Sequence, residues 1–206
     1  MSNITRGFHG RASRRQTTRL PPGQHLTSEF PVLSAGATPR TPPHLWTFAL
    51  EAEDGSQIAS WNWDEFRALG PTEVTVDIHC VTRWSKLDTD WRGVSVDRIL
   101  AAAGLEDPPS PFVTAFCDGG YTTNLPVEDL LEGKALVVWE YDGEPLAAEH
   151  GGPARLLVPH LYFWKSAKWI RGLRFMDDVP FREVVRVHNI ALKTGHRNVV
   201  YTVPPA

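Results

Sequence analysis

Polar and apolar residues alternate along "TEVTVDIHC", residues 72–80. That period of two predicts a strand with Val74, Val76, Ile78 and Cys80 on its buried face. Glu73, Thr75, Asp77 and His79 fall on the other face, and Cys80 stands where the strand runs out. "LWTFALEA" (45–52) predicts another strand, ended by the Asp54-Gly55 turn. "WNWDEFRALGP" predicts a short helix, with Asn62 as cap, Glu65 completing a capping box, and Gly70 and Pro71 as the stop. Ser95 caps a second helix over "VDRILAAAG", closed by Gly104. "PFVTAFC" predicts a strand followed by a "DGG" turn, and "YTTNLP" leads into a short helix at "VEDLLEG". "KALVVWEY" before Asp142-Gly143 carries a hairpin signal. "PARLLVPH" and "KSAKWIRGLRFM" are the last strands, with Gly172 marking a bulge in the second. Strands joined by short helical crossings predict one β-rich, mixed α+β domain over residues 21–176.

The ends read differently. Residues 1–20 hold five arginines and no acidic residue, the pattern of a basic, solvated, flexible arm. Residues 21–45 mix Pro, Gly and Ser with Phe30, Val32 and Leu33, which predicts an extended segment laid over a core. Residues 177–206 carry no assignable pattern.

Composition narrows the function classes. The 206 residues are 42% hydrophobic and 22% charged, as in ordinary globular proteins. A net charge of -3 gives no global case for nucleic acid or an anionic membrane as partner. No run of 18 apolar residues could span a bilayer. The first residues lack the apolar stretch of an export signal, and two cysteines 37 positions apart suit free thiols, so a cytoplasmic location is expected. Eight Trp and 17 Pro suggest extended segments and aromatic-walled pockets.

Two readings of Cys80 stand side by side. A free cysteine is most often a small core residue. Against that, Cys80 closes a strand, Arg83 and Lys86 follow it, and nearby cations favour thiolate. Trp84 and Trp91 could wall a pocket, and a thiolate is the ligand that soft redox metals prefer. Arg83 and Lys86 could attract an oxyanion, or pair with Asp88 or Asp90. Cys117 lies on a strand apolar on both faces and reads as core. There is no CxxC, HExxH or CxxCH, which removes the usual zinc and haem signatures. "HGGPARLL" leads into a strand rather than a helix, so it is no phosphate loop. Between residues 140 and 173, His150, Arg155, His160, Lys165, Ser166 and Lys168 punctuate apolar strands. They are either solvent-facing positions or a converging anion site, in which Gly151 and Gly152 let backbone amides approach a ligand.

Taken together, "PPGQHLTSEFPVLSAG", "VTVDIHCVTRWSK", "DGGYTTNLP" and "EYDGEPLAAEHGGPARLLVPHLYFWKSAKW" resemble the molybdopterin-binding catalytic domain of the sulfite oxidase family. The likeness is greatest to its short, haem-free members, which resemble the catalytic subunit of the bacterial protein-methionine-sulfoxide reductase. The resemblance implies a molybdenum–molybdopterin cofactor and no haem. It puts Cys80 on molybdenum, Tyr121 near the metal, and His150, Arg155, Ser166, Ala167 and Lys168 around the pterin. His25 falls where the family's N-terminal block touches the cofactor, and Arg83 is the candidate cation for an oxyanion substrate. "CVTRWSK" replaces the run of arginines found in sulfite oxidases. The implied reaction is two-electron oxo transfer to or from a small S- or N-oxide or oxyanion, with a separate electron-carrier protein. Two alternatives are a cofactor-free module that binds a partner protein, and a cofactor-free thiol enzyme.

Overall fold

The computed structural model describes residues 19–34 and 36–178. Most of the basic arm and of the unassigned C-terminal segment lies outside the described residues.

Two sheets carry the described residues. The first contains β1 (His25–Leu26), β4 (Thr72–His79), β5 (Trp84–Ser95), β8 (Leu136–Tyr141), β9 (Glu144–Pro145) and β10 (Arg155–Leu157). Its spine is β1-β5-β8-β10, with β4 paired to β5 and β9 to β8. The second sheet has the order β3-β2-β11-β6-β7, from β2 (Thr47–Glu51), β3 (Gln57–Asn62), β6 (Phe112–Cys117), β7 (Thr122–Pro126) and β11 (Ile170–Met176). β11 runs parallel to β2 and antiparallel to β6. Two short helices, α1 (Trp63–Arg67) and α2 (Val96–Ala102), complete the mixed, β-rich α+β fold expected.

Local chemistry explains the elements that the pattern located. Asn62 Oδ1 accepts the Asp64 and Glu65 amides at 3.0 Å, and Glu65 accepts the Asn62 amide at 2.9 Å, closing the capping box of α1. Ser95 accepts the Arg98 amide at the start of α2. The bulge at Gly172 is present as a register shift between Ile170 and Gly172. A Cβ there would lie 2.2 Å from the Ala49 carbonyl, so only glycine lets β2 and β11 approach this closely.

β5 is not legible in the pattern, although it is the longest strand and pairs with β1, β4 and β8. Its buried positions include Ser85, Thr89 and Gly93, which carry no hydrophobic signal. β3 is likewise hidden behind the helix signal at 61–71. "YTTNLP" is itself β7, and the helix after it shrinks to a 3₁₀ turn at Val127–Asp129. His79, expected on the outward face, is buried. The β4–β5 register shifts between Val76 and Ile78, so strict alternation ends there.

β8 is buried on both faces. Val137 and Trp139 face the main core between the sheets, with Trp46, Phe48 and Phe66. Leu136 and Val138 face a second cluster with Ile78, Cys80, Trp84 and Trp91. The segment before β2 covers that cluster, as expected. Phe30 packs edge-on to Trp91 at 5.9 Å and stacks on His150 at 3.9 Å, with 9° between ring planes.

Candidate active site

The chain ends β4 in a tight turn. Cys80 N donates to Trp84 O at 2.9 Å, and Arg83 N donates back to Cys80 O at 3.0 Å. Arg83 takes φ 71° to close it. The turn delivers the Cys80 side chain, 4% exposed, to the floor of a cavity of about 410 Å³.

That cavity brings together six of the residues expected at the site: Cys80, Tyr121, Arg155, Ser166, Ala167 and Lys168. They come from four separate stretches of chain. Phe30, Trp84, Phe163, Trp164 and Trp169 supply aromatic walls. Trp91, expected as a wall, packs beneath them in the cluster instead.

Arg155 dominates the electrostatics. Its side chain enters from β10 and is 1% exposed. Its guanidinium donates to the His150 carbonyl at 2.7 Å and the Ser166 carbonyl at 2.6 Å, and lies 4.1 Å from the Phe163 ring centre. No carboxylate pairs with it among the described residues. Burial pulls its pKa down to about 9, partly opposed by Cys117, Cys80 and Tyr121. A buried cation without a counter-anion is costly, and an anion in the cavity would relieve it.

Two further groups share this character. Lys168 Nζ donates to Leu33 O at 2.7 Å and Glu149 O at 2.6 Å, tying the covering segment to the turn before β10. Burial, then Arg155, lowers its pKa to about 8. His150 stacks behind Phe30, outside the cavity lining, with a buried Nδ1 that has no partner among the described residues. Burial, then Arg155 and Lys168, lowers its pKa. Tyr121 sits at the mouth, 40% exposed, its hydroxyl donating to Trp164 O at 3.3 Å. Burial raises the pKa of that phenol.

His25 and Arg83 do not join the lining. Both are exposed beside the Cys80 turn, where the His25 amide donates to the Arg83 carbonyl at 2.9 Å. Lys86 pairs with neither Asp88 nor Asp90; its ammonium donates to Ser28 O at 2.7 Å. Asp77 and Asp88 share Arg19 instead. Gly151 and Gly152 do not offer amides to the cavity. Their N–H groups donate to Ala148 O and Ala147 O. A Cβ on Gly152 would lie 2.1 Å from Leu146 O, so packing of the chain on itself requires the small residue. Lys165 and His160 belong to a separate polar group beside the cavity. Lys165 donates to Thr123 Oγ1 and Asn124 O, and His160 meets Asp129 at 3.2 Å. Cys117 is core, its pKa raised by burial to about 12.

Sequence reasoning missed Gln24 and Thr82. Gln24 Nε2 donates to the Cys80 carbonyl at 3.0 Å, and the Thr82 hydroxyl donates to Cys80 Sγ at 3.1 Å. The Thr82 position, two residues past the cysteine, was visible; its orientation depends on the turn.

A thiol at the floor of a cavity with a buried guanidinium and lysine fits a soft metal carried on an anionic organic group. The family model described as "oxidoreductase molybdopterin binding domain" matches residues 35–182, and this chain belongs to that family. It is therefore an oxidoreductase with the sulfite oxidase-type molybdopterin-binding fold. The uncharacterized oxidoreductase YuiH of Bacillus subtilis is 42% identical over 167 residues, covering 79% of this chain and 82% of YuiH. The protein-methionine-sulfoxide reductase catalytic subunit MsrP of Burkholderia mallei is 29% identical, covering 67% of this chain and 46% of MsrP. Among solved structures, the sulfane dehydrogenase SoxCD of Paracoccus pantotrophus superposes with a TM-score of 0.61 at 18% identity, covering 79% of this chain and 46% of that chain. The chain thus spans less than half the length of MsrP and of SoxCD.

Proposed function

We propose that this chain binds a molybdenum–molybdopterin cofactor and catalyses two-electron oxo transfer to or from a small S- or N-oxide or oxyanion. The observation that carries this reading is the meeting of Cys80 and the fully buried, carboxylate-free Arg155 in one cavity. When bound, the cofactor supplies the two-electron redox change and an exchangeable oxo group. The Cys80 thiolate is the protein ligand to the metal. Arg155 and Lys168 would neutralise the pterin phosphate, and His150, outside the lining, would act through its carbonyl, which holds the Arg155 guanidinium. Ser166 and Ala167 shape the wall beside it. Tyr121, at the mouth, would keep its phenol proton and donate a hydrogen bond to the substrate oxygen. The aromatic walls keep water away from the reacting centre. In the reducing direction the substrate oxygen leaves as water, using two electrons and two protons. The electrons pass through a separate carrier protein, without haem on this chain. A cytoplasmic location suits the two free thiols. Among the described residues, no helix is long and apolar enough to cross a membrane.

The test is turnover by the molybdenum-loaded protein. Reduced viologen would be offered with a panel of sulfoxides and N-oxides, and ferricyanide with sulfite. Turnover of at least one substrate, lost in Cys80→Ala with the fold retained, is expected. Loaded wild type that turns over nothing in either direction would overturn the assignment.

A further inference from the structure

The Cys80 turn is fixed more tightly than a core cysteine needs. Gln24 Nε2 holds the Cys80 carbonyl, and the Ser85 hydroxyl holds Gln24 Oε1 at 3.1 Å. Ser85 Oγ in turn lies 2.8 Å from Nδ1 of the buried His79. Arg83 adopts a left-handed backbone, which is unfavourable for a non-glycine residue. Inside this frame the Thr82 hydroxyl donates to Cys80 Sγ at 3.1 Å. It makes the single side-chain hydrogen bond to that sulfur among the described residues. The Thr82 side chain is otherwise at the surface, where its packing asks nothing of a hydroxyl.

We propose that Thr82 is a positioning residue for the Cys80 sulfur: its hydrogen bond fixes Sγ at the cavity floor and draws negative charge off it. The metal-linked part of this inference rests on the assignment of Cys80 as metal ligand. A donor on a ligating sulfur weakens its donation to the metal and raises the reduction potential of the site. The same bond stabilises the free thiolate when no metal is bound.

Thr82→Val keeps the shape and removes the donor, and Thr82→Ser keeps the donor. In the loaded protein, Thr82→Val should move the thiolate-to-metal absorption band to longer wavelength and lower the molybdenum potential. Thr82→Ser should restore both. In the metal-free protein at pH 8, iodoacetamide should label Cys80 roughly threefold more slowly in Thr82→Val than in wild type, because the hydrogen-bond donor to Sγ is gone. Cys80→Ala supplies the background from Cys117. Band, potential and labelling rate all unchanged in Thr82→Val would overturn the proposal. Wild type without molybdenum would defeat the cofactor assignment alone, and the labelling comparison would still decide the role of Thr82 on the sulfur.

Discussion

The Arg155 guanidinium donates to the Ser166 carbonyl at 2.6 Å. This bond joins β10 to the stretch that presents Ser166, Ala167 and Lys168, so the buried cation also organises the loop beside the anion site. A charged hydrogen bond of this kind is worth about 1.5–3 kcal/mol. Arg155→Met should leave a folded protein that binds the cofactor roughly ten- to a hundredfold more weakly. Molybdenum content after dialysis, measured beside far-UV circular dichroism, checks it.

Lys165 makes stability depend on pH. Burial lowers its folded pKa to about 6, opposed by Asp129, against an ordinary 10.5. Between those values the unfolded chain binds more protons than the folded one, so stability rises with pH from about 6 to 10. Lys165→Met removes this dependence. The melting-temperature difference, variant minus wild type, should therefore fall steadily as pH rises from 6 to 10. A difference that stays flat would contradict the burial of the ammonium.

Phe30 holds the covering segment. It is half-buried and meets Trp84, Trp91, Tyr141, His150 and Phe163. Phe30→Ala should cost about 2 kcal/mol, below the full cost for a buried phenylalanine. It should also open the cavity, read as faster loss of cofactor on dilution.

The capping box of α1 lies away from the cavity. Asn62→Ala should cost about 1 kcal/mol and lower the melting temperature by a few degrees. Cofactor content and any turnover should stay at wild-type levels.

The strands with strong alternation or continuous apolar runs were legible in the sequence: β2, β4, β6, β8, β10 and β11. β5 was not, because Ser85, Thr89 and Gly93 fill its inward positions. The site residues were legible mainly through their likeness to a family, since nothing local marks Arg155 as a buried cation. The cavity walls come largely from residues 30–34, 36–39, 118–121 and 163–169, which are far apart in sequence and meet only in the folded chain. His79 shows how one bulge defeats a period-two rule, and Thr82 shows that a turn decides which side chain meets a sulfur.

The most direct test measures metal content and the visible spectrum of protein made in a host that produces molybdopterin, with Cys80→Ala beside it. The expected result is about one molybdenum per chain, following the single thiol at the cavity floor, and a thiolate-to-metal band absent from the variant. Metal-free wild type, under conditions that load a control molybdoenzyme, would contradict it.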